Sequence, residues 1–591
     1  PALSFVPGRY FGEIAVTGIS NIGTGRISDL TRLWNHVEIT DSLDWVRGNH
    51  SLVLGANFKR IRVEGVQGFA QNGQFHFQNL KDFLENRPNL LDVALPDSNL
   101  ARDFRMWQLS AFIQDDWQVS PALTLNMGLR YDFVSVPTEA NGLIANVREA
   151  RQDGGTPDTR IPADATFTVG EPFYENPSLL NFAPRVGFAW VPFGSQRMVV
   201  RGGGGVFYAP ILPANFQIAG FASPPFTLRL NIPRAGFPRG WLDQDTSSLI
   251  RNLFVQPFEF EPSQPTMYHW NLTLQREIMT DTVLTVGYVG SRGVHLSRVQ
   301  NVNVNQFELR PDGSKFFPAG TTRPNRNFAG MGVIAFDTTS SYHSLQSELR
   351  RRLRQGLQFQ AAYTWSRSMD ASAGDHGGSS GGVTTSMDPF DWQRDWSTSS
   401  FDVSHNLSLS AVYDLPSTER TGIAGKLLNG WQLGSIVHAA TGIPVNVTMA
   451  GTFDPARAGT WWVGDGQPQR PDAVPGVPFV IEDFDPNDRY LNPAAFALPA
   501  AGTLGNLGRY VARGPGVVDM SLSLVKNTGI GGARNVQFRA EFFNVLNRAN
   551  FGAPSGGIFA NASGAPSATF GRITSTSTTA RQIQFAARLA F

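Results

Sequence analysis

Period-two alternation, repeated along almost the whole chain, constrains this sequence more than any other feature. In "SPALTLNMGLRYDF", Leu123, Leu125, Met127, Leu129, Tyr131 and Phe133 share one face of an extended segment, while Thr124, Asn126, Gly128, Arg130 and Asp132 share the other. "YHWNLTLQREIMTDTVLTVGYVG" sets Trp270, Leu272 and Leu274 against Asn271, Thr273, Gln275 and Glu277, then resumes after Thr280-Asp281 with Leu284, Val286 and Tyr288. "GLQFQAAYTWSRS" and "SHNLSLSAVYDLP" repeat the pattern, and the chain ends on it: Ile583, Phe585, Ala587, Leu589 and Phe591 oppose Gln582, Gln584, Ala586, Arg588 and Ala590. Strands with one apolar face must put that face against a core or against lipid.

Composition agrees with strands joined by loops. The 591 residues include 60 Gly, 38 Pro and 43 Phe, and only 16% are charged, against roughly 25% in ordinary soluble domains. An aromatic content of 11% excludes a disordered chain. The formal net charge of +1 implies no nucleic-acid partner. There is no Cys, which excludes disulfides and thiolate chemistry. No apolar run reaches the roughly 20 residues of a transmembrane helix.

The connections choose between a soluble sandwich and a membrane barrel. Short links ("VSP" at Val119, "PFGS" at Pro192, "MTD" at Met279, "RQG" at Arg354) alternate with long Gly/Pro/Asn-rich ones near 64–103, 134–181, 209–263, 298–340, 367–400, 449–514 and 548–579. A compact sandwich rarely tolerates so many long loops. The expected fold is all-β: an antiparallel transmembrane β-barrel domain over 1–591, with about 16 strands, short periplasmic turns and long extracellular loops. Counting back from Phe591 keeps this alternation in phase to a first strand near Arg9 to Ile19. Trp107, Trp117, Tyr131, Trp190, Tyr208, Trp270, Tyr288, Trp365, Tyr413 and Trp431 are placed as interface aromatics.

Motifs with possible chemistry are weak. "RGGGGVFY" and "GIAGKLLNG" lack the Lys-Ser/Thr of a P-loop, "GNLGRY" does not open a helix, and glycines within strands relieve crowding. "GGSSGG" (Gly377 to Gly382) matches a nucleophile-elbow spacing without strand-to-helix context, and His376 with Asp375 and Asp370 is a triad only on paper. Asp483, Asp485, Asn487 and Asp488 form the best cation candidate, for Ca²⁺, although a solvated turn is the better explanation because the Gly and distal Glu of an EF-hand loop are missing. "ELRRRLRQG" is placed beside a periplasmic turn, with Arg350 and Arg352 toward the lumen and Arg351 at headgroup level. Arg130, Asp132, Glu277, Glu348, Arg350, Arg539, Glu541 and Arg588 are expected to face the lumen. Their mixed signs name no substrate.

Several stretches together resemble the barrel of TonB-dependent outer-membrane receptors, in particular the Oar-like branch. They include "SAFIQDDWQVSPALTLNMGLRYD", "HWNLTLQREIMTDTVLTVGYVGSRGVHL", "YHSLQSELRRRLRQGLQFQAAYTWSRSMD", "FDVSHNLSLSAVYDLP", "NGWQLGSIVHAATGIPVNV" and "RAEFFNVLNRANFG". The resemblance implies a bacterial outer-membrane barrel of about 22 strands, with a plug ahead of it and energy-coupled uptake through the TonB complex. The plug and the small N-terminal sandwich domain of that branch have no counterpart in these residues, so the chain is expected to be the C-terminal part of a larger receptor. The resemblance also makes Phe585, Ala587, Leu589 and Phe591 a signal for the barrel-assembly machinery. The expected activity is uptake or binding of a bulky ligand (oligosaccharide, peptide or metal chelate), with no enzymatic activity and no cofactor. A passive porin and an adhesion or surface-signalling barrel are the alternatives.

Overall fold

A computed structural model describes residues 4–25, 27–150, 161–194, 197–250, 253–372, 386–450, 453–459, 469–532 and 534–591. Its main element is an 18-stranded sheet. Fifteen of those strands are long and form the wall: β1 (Ile27–Arg47), β2 (His50–Phe69), β3 (Ala101–Ser120), β4 (Leu123–Val134), β5 (Phe182–Trp190), β6 (Met198–Tyr208), β7 (Thr266–Met279), β8 (Thr282–Asn301), β9 (Phe328–Arg354), β10 (Leu357–Asp370), β11 (His405–Asp414), β12 (Trp431–Ala440), β13 (Val517–Gly531), β14 (Arg534–Phe543) and β15 (Gln582–Ala590). The other three are short pieces, Thr138–Glu139, Leu253–Val255 and Ser397–Thr398, added at the loop ends of β3, β9 and β10.

Each wall strand pairs antiparallel with the next in sequence. Such a meander needs tight turns at one end, and the chain supplies residues that tolerate positive φ there. Gln355 and Gly356, both at positive φ (53° and 79°), close the β9–β10 hairpin in the primed geometry that matches strand twist. Between β7 and β8 only Asp281 is at positive φ (60°), and a register shift at Glu277/Met279 accompanies the turn. The seven long connections fall where the alternation stops, as expected.

The first expected strand is corrected. Glu13–Val16 is not in the wall; it pairs parallel with Gln74–Phe77 in a separate five-stranded sheet completed by Ile22–Gly23, Leu90–Ala94 and Arg229–Pro233. Four residues are too few to span lipid, which takes about 9–11 in a tilted strand. The wall begins with β1.

Among the described residues β1 pairs only with β2, and β15 only with β14. Fourteen antiparallel steps separate these two edges, so they run in the same direction. Apolar side chains cover the outward face, as shown by exposed Leu33, Val37, Ile39 and Leu43 on β1 and Ile583, Phe585 and Leu589 on β15.

Buried cores lie at the loop ends of the wall strands and in the segments beyond them. Phe5, Phe75, Phe77 and Trp241, from three separate segments, share one core with Leu91, Val93, Leu230 and Ile232. Phe5 and Phe75 meet edge to face at 5.0 Å. A second core (Val447, Leu491, Phe496, Ile558, Phe559, Phe570) joins the last two long connections. Each such side chain contributes about 1.5–3 kcal/mol when fully buried, so these connections form a folded cap.

The glycine run on β6 has a mechanical use. A Cβ on Gly202 would lie 2.6 Å from the Phe188 ring, and one on Gly205 would lie 2.9 Å from Arg185 Cγ. Side chains of β5 therefore lean across the β6 backbone. Gly205→Val is expected to lower the thermal midpoint of the barrel, at a cost of about 1–3 kcal/mol from overpacking; an unchanged midpoint would contradict this crowding.

Candidate functional site

The polar face of β1 to β6 carries a run of paired side chains. Glu38 accepts from Lys59 (3.0 Å) and Asn57 (2.7 Å), and Asn57 also donates to Thr40 (2.6 Å). Further along, Arg130 Nε donates to Asp132 (2.8 Å), and its terminal nitrogen to Ser110 Oγ (2.7 Å). Arg185 lies 4.3 Å above the centroid of the Phe207 ring. All of these side chains project from positions that alternate with the apolar outward set. Together they line a cavity of about 540 Å³ that reaches Asn181, Tyr208 and Gln264 beneath the cap. One cavity touched by β1 and by β6 shows that the sheet curls toward its polar face.

Of the expected lumen residues, the structure brings together two pairs. Arg130 meets Asp132 as above, and Arg539 meets Glu541 at 3.5 Å. Glu277 accepts from the Asp281 backbone (3.3 Å) and lies 3.8 Å from Arg197 at the short-turn end. Glu348 accepts from Gln360 (3.2 Å), while Arg350 stands opposite Gln360 in register. Arg588 stands opposite Gln537. The eight therefore spread over five strands and do not converge on one point.

The remaining candidates are placed as follows. Asp483, Asp485, Asn487 and Asp488 sit in an exposed turn, where Asp485 Oδ1 accepts from the Asn487 backbone (2.8 Å). Among the described residues no group of three or more acidic, His or Cys side chains is arranged to hold a metal. Gly377 to Gly382, Asp375 and His376 lie outside the described residues. Asp370 is paired with Arg509. Phe585, Ala587 and Leu589 line the outward face of β15, and the Phe585 ring stacks with Phe538 at 6.1 Å. Phe591 follows the strand and is 91% exposed.

Sequence reasoning missed the fastening of the cap. The segment 386–404 carries Asp388, Asp395 and Asp402 at seven-residue spacing, each held by a base from another connection. Asp388 binds Lys315 (2.5 Å), Asp395 binds Arg470 (2.7 Å) and Asp402 binds Arg513. Arg298, fully buried, adds bonds to Asp337 (2.6 Å), Ser386 Oγ (2.7 Å) and the Pro389 carbonyl (3.1 Å). Burial pulls the Arg470 guanidinium below its ordinary pKa, and Asp395 opposes that shift. Burial alone pushes the Tyr174 hydroxyl far up, so it stays a neutral phenol in the cap core. The only sequence signal was the acidic spacing, and nothing local identifies partners 73 to 111 residues away.

Comparison with known proteins agrees with this geometry. A family model described as an outer membrane beta barrel domain matches residues 4–584. A search of curated proteins gave no match. Among solved structures, the outer membrane transporter YddB from Escherichia coli is similar at 9% identity and a TM-score of 0.50, covering 94% of this chain and 54% of the transporter. The ferripyoverdine receptor of the Pseudomonas aeruginosa outer membrane aligns at 11% identity (TM-score 0.41; 94% and 48% covered). The siderophore receptor PiuA from Acinetobacter baumannii aligns at 10% identity (TM-score 0.41; 94% and 56% covered). The chain thus spans about half the length of these proteins.

Proposed function

Because the chain belongs to the outer membrane β-barrel domain family, we propose that it is the C-terminal part of a TonB-dependent receptor of the Oar-like branch, importing or binding a bulky ligand. One observation carries the choice of a receptor over a porin. Among the described residues the wall has two unpaired edges that run the same way, whereas a general porin is a closed wall with an even number of strands. A larger receptor would supply the missing strands, a plug and the segment that meets the TonB complex. The paired charges on the polar face suit a path that is occupied by plug residues at rest and by ligand in transit.

Ligand class stays broad: an oligosaccharide, a peptide or a metal chelate, first met by the cap. The reading is transport without catalysis or cofactor, with outer-membrane lipid and the barrel-assembly machinery as the other partners. Phe585, Ala587, Leu589 and Phe591 are the residues that machinery would read, and Asp483 with its neighbours could add a Ca²⁺ contact to the cap.

The test compares cells with and without the complete gene, offered maltoheptaose, a hexapeptide and a ferric hydroxamate in turn, before and after a protonophore. Accumulation of one probe is expected to fall on de-energisation to the level of cells lacking the gene. Gene-dependent uptake indifferent to the protonophore would favour the porin. Surface binding without uptake would favour an adhesin.

A further inference from the structure

The outward face of β7 to β11 sorts its side chains by height. Four successive rungs can be followed through the register. The lowest aligns Leu274, Val286, Ser347, Tyr363 and Leu407; the next aligns Leu272, Tyr288, Leu345, Trp365 and His405. Above them come Trp270, Gly290, His343 and Arg367, then Tyr268, Arg292, Ser341 and Met369. The order is apolar, then aromatic, then cationic. No Asp or Glu occupies an outward position in these rungs.

Arg292, His343 and Arg367 lie ten to eleven residues above the short turns. At about 3.3 Å per residue and a tilt of 35–45°, that is about 23–30 Å, the upper edge of an apolar band about 25 Å tall. With short turns on the periplasmic side, this edge faces the outer leaflet.

The geometry at that edge is specific. Arg292 and Arg367 are exposed and have no hydrogen-bond or ion-pair partner among the described residues. His343 lies between them, on the intervening strand and directly opposite Arg367. Its Nδ1 lies 2.7 Å from the Tyr288 hydroxyl, with the rings stacked at 21°; where that hydroxyl donates, Nε2 carries the ring proton and is a donor. Trp270 lies over Gly290, where any side chain would collide with the indole, and its ring centroid is 6.0 Å from that of His343. The Tyr–His arrangement recurs one hairpin along, as Tyr363 and His405, again at 2.7 Å. Three donors on neighbouring strands thus converge above a floor of aromatic rings.

We propose that Arg292, His343 and Arg367 bind the phosphate of a phosphorylated glycolipid of the outer leaflet, whose first acyl carbons pack on Trp270, Tyr288 and Trp365. Two unpaired guanidinium groups at the lipid boundary complement a phosphate in charge and in bidentate geometry. The aromatic layer beneath complements the ester and acyl region.

The test uses the complete protein purified from outer membranes in mild detergent. Retained lipid is counted by native mass spectrometry after exchange with bisphosphorylated or enzymatically dephosphorylated lipid A. Wild type is expected to keep the bisphosphorylated form preferentially. Arg292→Gln with Arg367→Gln should lower that retention by about tenfold, as loss of charge-assisted bonds predicts, with the heat-modifiable gel shift of the folded barrel unchanged. Arg292→Lys with Arg367→Lys should recover part of it and separates charge loss from misfolding. Equal retention of both lipids, or full retention by the glutamine pair in a folded barrel, would reduce these rungs to an ordinary aromatic girdle and overturn the site.

Discussion

Asp395→Ala is expected to unfasten the cap while leaving the wall standing. Its carboxylate is 3% exposed, accepts from Arg470 at 2.7 Å and from the Met387 backbone at 3.2 Å, and is, among the described residues, the sole acidic partner of a guanidinium that is 1% exposed. Arg470 also donates to the Leu507 carbonyl (2.8 Å) and to the Arg394 carbonyl (3.2 Å). Removing the acid leaves a buried cation with two carbonyls and no counter-charge. The cost of breaking such a pair is about 3–5 kcal/mol, enough to open a local unit whose own stability is of that order.

Hydrogen exchange provides the readout. Segments 386–404 and 469–472 should lose protection in Asp395→Ala, whereas β11, β12 and β13 should keep it. Asp395→Leu with Arg470→Met should regain most of that protection, because a buried ion pair exchanged for apolar side chains of similar size is often neutral. Unchanged protection of 386–404 in the alanine variant would show that the remaining fasteners, Lys315 and Arg513 with Arg298, hold the segment alone.

The contrast between wall and cap explains what could be read in advance. A wall strand declares itself locally, because one face meets lipid and the other the lumen along its whole length. The alternation of Leu123 to Phe133, or of Leu357 to Trp365, therefore placed β4 and β10 and located all seven long connections. The segment around Glu13–Val16 has the same propensity as a wall strand. It was misplaced because its partner, Gln74–Phe77, is set by tertiary packing that no local pattern encodes. Parity alone puts Arg130 and Asp132 on one polar face of β4. Their convergence was not legible, because it depends on how far the sheet curls. The cap was least legible of all: Asp388, Asp395 and Asp402 look like ordinary loop acids until their distant partners arrive.

On the receptor reading proposed above, cap and wall divide the labour. Fixed strands present a polar face with paired charges, which would keep a path hydrated without leaving single buried ions. The long connections, held by aromatic cores and buried ion pairs, present a shaped surface to solvent. Substrate discrimination belongs to such loops on a rigid scaffold. A cap stiffened by Arg298, Arg470 and Arg509 would lose less entropy on binding than free loops would.

The second large effect concerns the two wall edges. Left in lipid, β1 and β15 would each expose a row of unpaired backbone groups, at several kcal/mol apiece. Direct closure of β15 on β1 would make a parallel contact in an otherwise antiparallel wall. An odd number of further strands restores antiparallel pairing on both edges, consistent with about 22 in total. The prediction is that in the complete receptor other strands separate the two edges. The chain has no Cys, so introduced pairs report cleanly. Phe538→Cys with Ala587→Cys, opposite one another on β14 and β15, should oxidise to a disulfide in intact outer membranes. Leu43→Cys with Leu589→Cys, outward on the two edges near the short-turn end, should not. Efficient cross-linking of the edge pair would mean that the fifteen strands close on themselves, and the receptor reading would fall with the argument from strand parity.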